Sequence, residues 1–243
     1  VDRFFHSETF QTNSTLLFEA EEVHHMKVLR IKEGETIEIV NGKNELAFGT
    51  VIFLKRSKAE VKIEKVRKKE PSKKKWVLAV GISPMQRMEM IVEKTTELGV
   101  DEIYIFQTER SQKGTFSPSN QRRLEKIAIS AMKQCKRWDL PKITYSSSID
   151  EVANLCDAQY FGDLSPNAPS TASISDVSSI ALFIGPEKGF LEKEIAHLHK
   201  VASGVSLSWN VLRVDTACIS ALSHVSSRVL PFPDKQDRDR DPE

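Results

Sequence analysis

The chain has 243 residues, 40% of them hydrophobic and 28% charged, with a formal net charge of +1. That composition supports a sizeable buried core and excludes wholesale disorder, and the length fits one large domain or a small domain beside a medium one. No apolar run approaches the roughly 20 residues of a membrane-spanning helix.

The first 70 residues read as β structure. A short helix is expected at 19–30. Residues 35–40 alternate apolar and polar with period two, and Asn41-Gly42 then supplies a hairpin signal. Strands continue at 46–54 and 59–66. A small β-barrel of about 70 residues is the economical reading. Charge is unevenly placed: residues 55–75 hold eleven basic and three acidic residues. Such a stretch is either a phosphate-facing surface or a solvated strand edge guarded by lysines.

The chain divides near Glu70-Pro71-Ser72, and strands then alternate with helices. The continuous apolar run 76–82 suits a strand covered on both faces. Residues 84–98 place Met88, Ile91, Val92, Thr95 and Leu98 at helical spacing, with Gly99 as the stop. A strand follows at 102–106. Ser117-Pro118 then reads as an N-cap with proline in the first turn, and Leu124, Ile127, Ala128, Ala131 and Cys135 mark the buried stripe of the helix. Strands are expected at 142–146, 159–164, 180–184 and 205–208, and helices at 149–156, 191–202 and 215–230. The class is α/β with a mainly parallel sheet. The Ser/Pro-rich segment 165–179 reads as a loop, and 234–243 as a frayed, charged tail.

Several site types are excluded by their missing motifs. The turn Gly81-Ile82-Ser83-Pro84 holds one glycine, so no GxGxxG dinucleotide site follows the first strand of the sheet, and no P-loop is present. His197 and His199 lack a third ligand in view, and no metal is expected. Cys135, Cys156 and Cys218 form no CxxC pair; reduced thiols in a cytoplasmic protein are expected. The opening Val1-Asp2-Arg3-Phe4-Phe5-His6 lacks the pattern of a secretion signal, and the missing initial Met suggests either processing or an artificial start to the sequence. The informative segments are late. Gly185-Pro186-Glu187-Lys188-Gly189-Phe190 separates a strand from a helix, and Leu207-Ser208-Trp209-Asn210-Val211-Leu212-Arg213-Val214-Asp215-Thr216-Ala217 opens the last helix. Loops at the carboxyl ends of strands form the crevice where open α/β sheets bind ligands; either loop alone also reads as a tight strand–helix turn.

Taken in order, these motifs resemble the bacterial 16S ribosomal RNA uracil-N3 methyltransferases of the SPOUT (α/β-knot) superfamily. The markers are His24-His25-Met26-Lys27-Val28-Leu29-Arg30, Met88-Glu89 with Glu97-Leu98-Gly99, Glu109-Arg110-Ser111, Gly185-Pro186-Glu187-Lys188-Gly189-Phe190, and Val211-Leu212-Arg213 before Thr216-Ala217. The resemblance implies a PUA-like RNA-binding β-barrel over 1–72, a deep trefoil-knot methyltransferase domain over 73–233, and a homodimer acting on the small ribosomal subunit. It implies S-adenosylmethionine held by Ile184, Gly185, Pro186, Glu187, Gly189 and Phe190 on one loop and by Leu207, Ser208, Val211 and Leu212 on the other. The departures are Ser208 for a usual glycine, Asp215 for glutamate, Ser130 and Lys133 for two acidic residues, and Lys136 for a second glycine.

Uracil N3 becomes a good nucleophile only as its proton leaves, and a guanidinium stabilises the anion that develops. Arg110 and Arg213 are the candidates, with Asp215 or Glu187 orienting an arginine or accepting the proton. Arg213 could equally form an ion pair with Asp215 at the helix end, and Arg110 could be a phosphate clamp. Arg3, His24, Lys27, Arg30, Lys73 and Lys74 are the residues expected to guide RNA. Two alternatives stay open: another SPOUT enzyme, such as a ribose 2′-O-methyltransferase, and a noncatalytic RNA-binding knot protein.

Overall fold

The computed structural model describes residues 2–111, 116–146 and 148–227. The chain forms two compact units, one of residues 1–72 with Lys126–Leu140, the other of Lys73–Glu125 with the residues from Pro141 onward.

The first unit holds β1 (Arg3–Phe5), β2 (Thr15–Glu19), α1 (Ala20–Val28), β3 (Thr36–Val40), β4 (Glu45–Leu54) and β5 (Lys58–Lys68). Its five strands run in the order β1-β3-β4-β5-β2, antiparallel except for β1 beside β3. The sheet leaves β1 and β2 as edges. The expected Asn41-Gly42 turn joins β3 to β4, with Gly42 and Asn44 both at positive φ. Along β5, Ala59, Val61 and Ile63 point into the core while Lys58, Lys62 and Glu64 stay in solvent, the alternation of a sheet covered on one face. The register shifts between Phe48 and Gly49, where a Cβ on Gly49 would stand 2.7 Å from Val61 Cγ1. The bulge therefore needs a glycine. Neither β1 nor β2 was expected. Three residues carry too little period to declare a strand, although Leu16 and Phe18 of β2 do alternate inward.

The second unit contains β6 (Lys75–Gly81), α2 (Met85–Glu97), β7 (Glu102–Phe106), β8 (Lys142–Ser146), β9 (Ala158–Gly162), β10 (Ser179–Ile184), α4 (Glu192–Val201), β11 (Ser203–Val205) and α5 (Val214–Ser226). The intervening α3 (Pro118–Gln134) begins in this unit and passes to the first at Lys126. All six strands are parallel, in the order β11-β9-β10-β6-β7-β8. Central strands β6 and β10 are buried almost throughout, which is why they read as unbroken apolar runs. Two ends follow the expected cap chemistry. Gly99 takes φ 92 after α2, with the Val100 N–H donating to Thr95 O, and Ser117 Oγ accepts from the Asn120 N–H at the start of α3.

Two expectations fail, and the loop expected over 165–179 holds with one short turn inside it. The helix over 149–156 is a single 3-10 turn at Ile149–Glu151, capped at Val152; Ile149, Val152 and Ala153 are buried, and Asn154 takes the left-handed region at φ 73, where no helix continues. The last strand is Ser203–Val205 and not 205–208. Its ladder ends where Val205 meets Gly162, the last residue of β9, and the Ser206 N–H turns instead to Pro169 O. The loop over 165–179 contains a further 3-10 turn, Thr171–Ser173, capped by Ser170. The expected tail at 234–243 and the helix end at 228–230 lie outside the described residues.

Candidate functional site in the second unit

A fully parallel sheet gathers all its carboxyl ends along one edge, so the segments after β6, β7, β10 and β11 meet there. The 185–190 segment leaves β10 tightly. A Cβ on Gly81, the last residue of β6, would stand 2.6 Å from Pro186 N and Cδ, so the two strand ends touch only because Gly81 has no side chain. A Cβ on Gly185 would come within 3.2 Å of the Phe190 ring. Phe190 is buried and stacks on Phe106 at 6.3 Å between ring centroids, which anchors the segment in the core. Gly189 takes φ 68 and closes the turn by donating its N–H to Pro186 O. Ile184 is buried, whereas Glu187 and Lys188 face solvent.

The second segment, 206–213, leads into α5. Ser220 Oγ on α5 donates to Leu207 O at 3.4 Å, and Ser208 Oγ accepts from the Asn210 N–H at 3.2 Å. Ser208 does not adopt a positive φ, so the serine imposes no backbone strain where the resembled family has glycine. Trp209 and Val211 are fully and largely exposed. Among the described residues, the backbone N–H groups of Val211 and Leu212 meet no acceptor, leaving donors for a bound ligand.

Asp215 sits in the first turn of α5 and is buried. Its partner is Arg87, whose Nη1 donates to Asp215 Oδ1 at 3.2 Å while its Nε donates to Glu187 Oε1. The alternative ion pair of Arg213 with Asp215 does not form. Arg213 occupies the N-cap position of α5 in extended conformation, is exposed, and has no ion-pair partner among the described residues. Arg110 donates from Nη1 to Lys188 O at 3.1 Å and to Phe190 O at 3.4 Å, so it clasps the 185–190 segment by its carbonyls. Arg87 escaped the sequence reading. The available signal was its position, one residue before Met88-Glu89 in the first turns of the helix that follows β6.

The residues expected to guide RNA fare unequally. Arg3 is 8% exposed and pairs with Glu38 at 2.6 Å, which ties β1 to β3. Lys74 pairs with Asp176 at 2.6 Å and donates to Val177 O. His24, Lys27, Arg30 and Lys73 are exposed, and Lys27 also donates to Arg56 O at 2.7 Å. Two departures from the family pattern now have physical accounts. Lys133 pairs with Glu22 of α1 at 2.6 Å, both side chains being 15% exposed, while Ser130 is solvent-facing. Lys136 takes φ 66 just past α3, with the Arg137 N–H donating to Met132 O; this is the left-handed helix end that favours glycine.

Among the described residues no group of three or more His, Cys, Asp or Glu could hold a metal. His197 pairs with Asp150 at 2.6 Å, and His199 packs edge-on against Phe161. Burial pushes the half-buried Cys156 thiol up to about 11 and raises the buried Cys218 further, so both favour the neutral thiol. No helix of the described residues is long and apolar enough to cross a membrane.

Comparison with known proteins agrees with this arrangement. Residues 68–226 match the RNA methyltransferase domain, and residues 18–64 match the RNA methyltransferase PUA domain. The chain is 30% identical over 235 residues to ribosomal RNA small subunit methyltransferase E of Mesomycoplasma hyopneumoniae, covering 91% of this chain and 97% of that one. A Legionella pneumophila protein described as a methyltransferase, in complex with bound S-adenosylmethionine, superposes with TM-score 0.87 at 28% identity, over 93% of this chain and 97% of its own. A Thermotoga maritima protein described as an RNA methyltransferase gives TM-score 0.77 at 31% identity, over 94% and 98%. Parallel sheet, PUA-like front unit and late glycine-bounded loops thus have one common explanation: this chain belongs to the ribosomal RNA small subunit methyltransferase E family, with the SPOUT fold.

Proposed function

We propose that this protein methylates N3 of a uracil in 16S ribosomal RNA of the small subunit, using S-adenosylmethionine. The observation that carries the reading is the pair of segments, 185–190 and 206–213, at the carboxyl edge of the parallel sheet. One is locked in shape by Gly81, Pro186 and Phe190; the other offers unused N–H groups at Val211 and Leu212. That geometry fits a bent nucleoside, since a close backbone approach and free donors are what an adenine edge needs. Ile184, Gly185, Pro186, Glu187, Gly189 and Phe190 would line one side, and Leu207, Ser208, Val211 and Leu212 the other. When bound, the cofactor supplies an electrophilic methyl group.

The remaining work belongs to the protein and is mostly positioning. Arg213 is the side chain best placed for chemistry, because it is exposed beside the second segment and no carboxylate among the described residues neutralises it. A free guanidinium there stabilises the uracil anion as the N3 proton passes to water or to the Glu187 carboxylate. Asp215, already engaged by Arg87, is suited to hold geometry; Arg110 supports the first segment and can still turn its other N–H groups to RNA. In the front unit, His24, Lys27, Arg30 and the exposed lysines of β5 offer phosphate contacts. The trefoil knot, the homodimer and the cytoplasmic location are part of the same reading and rest on the resemblance to that family.

The test is nucleoside mass analysis after incubating the full-length protein and cofactor with small subunits from a strain lacking the gene. N3-methyluridine is expected. Arg213→Ala should lower its rate of formation by about 10²–10³-fold, with cofactor affinity retained. Ribose 2′-O-methylation, or no methylation, would reject the assignment.

A further inference from the structure

We propose that Arg87 is a positioning residue that sets the spacing of the two cofactor-binding segments; the proposal rests on the reading of that pocket given above. The strand order β11-β9-β10 explains why such a residue is needed. The 185–190 segment follows β10 and the 206–213 segment follows β11, and β9 lies between them, so no β-ladder bond sets one against the other. Arg87 bridges that gap from a third element. It stands in the first turns of α2, a helix that packs against α5.

One nitrogen of its guanidinium holds Glu187 of the first segment, and another holds Asp215, two residues past the second. The Asp215 side chain is 12% exposed and that of Arg87 is 29% exposed, so this is not a freely solvated surface pair. The planar fork matters. A guanidinium presents separate N–H groups at fixed angles to two acceptors, whereas an ammonium acts as one point charge. Without Arg87 the two carboxylates would lose their shared counter-charge and repel each other, and the segments would separate.

Calorimetry with S-adenosylmethionine and S-adenosylhomocysteine on the full-length protein tests this. Arg87→Ala is expected to raise Kd for both by about tenfold or more, and Arg87→Lys to recover only part of the loss. Glu187→Gln, at an exposed position, should raise Kd in the same direction, and the double variant should be little worse than Arg87→Ala alone. In turnover, the rise in cofactor KM should exceed the fall in kcat. Folding is followed by thermal melting; if Arg87→Ala does not fold, Glu187→Gln decides. Unchanged Kd in a folded variant overturns the proposal, as does a kcat loss with unchanged Kd, which would place Arg87 in the chemistry. Absence of cofactor binding by the unaltered protein would instead reject the pocket itself.

Discussion

The two units use their charged side chains in different ways. In the first, ion pairs hold elements together: Arg3 with Glu38 joins β1 to β3, and Lys133 with Glu22 joins the end of α3 to α1. Lys55, Lys58, Lys62 and Lys65, along β5 and the turn before it, stay in solvent. In the second unit, the charged residues of the candidate site collect at the carboxyl edge of the sheet, where Arg87 grips two carboxylates, Arg110 grips two carbonyls and Arg213 has no partner among the described residues. The contrast follows from sheet type. A sheet covered on one face has a broad solvated side on which charge can spread, whereas a parallel sheet covered on both faces leaves only its ends for polar chemistry. A spread of like charge suits a polyanion. A concentrated, partly neutralised cluster suits a single small ligand.

The largest effect expected from this contrast is on RNA. Replacing Lys55, Lys58, Lys62 and Lys65 together with Gln should flatten the slope of log affinity against log salt by about 3, because each phosphate contact to single-stranded or duplex RNA contributes about 0.7–0.9. Cofactor affinity should not change. Filter binding across a salt series measures it, and an unchanged slope would remove the front unit from RNA binding.

An intermediate effect concerns the ion pair of the first unit. Lys133→Glu restores the acidic residue of the resembled family but faces Glu22, and should destabilise by about 2 kcal/mol, a buried-pair cost reduced for partial exposure. Adding Glu22→Lys reverses the pair and should recover most of that loss in urea unfolding. Failure of the rescue would mean that Lys133 matters for reasons other than Glu22.

The smallest effect sharpens the same point at one backbone position. Lys136 holds φ 66 at the end of α3, so Lys136→Gly should stabilise by about 0.5–1 kcal/mol, the left-handed strain relieved less the entropy glycine loses on folding. A rise of a few degrees in Tm is the expected reading. A fall would show that the Lys136 side chain, near Glu38 at 3.7 Å, contributes more than its backbone costs.

What this sequence determined by itself is whatever depends on residues within a turn or two of one another. Helices α2 and α3 were legible because a stripe, an N-cap at Ser117 and a stop at Gly99 all lie within reach of a single helix, and β6 and β10 because burial on both faces leaves unbroken apolar runs. The two late segments were legible as loops, and the order of their motifs as a family. Whether a residue was free to act was not. Arg3, expected at RNA, pairs with Glu38, and the partner of Asp215 proved to be Arg87, 128 positions earlier, and not its neighbour Arg213. The apolar residues at 149–153 suggested a longer helix than Asn154 permits. Pairings of that kind depend on which strands lie side by side. Strand order is a property of the whole sheet, settled by long-range packing that no local window contains, and so the tertiary structure alone decided which charges meet and which remain available to a substrate.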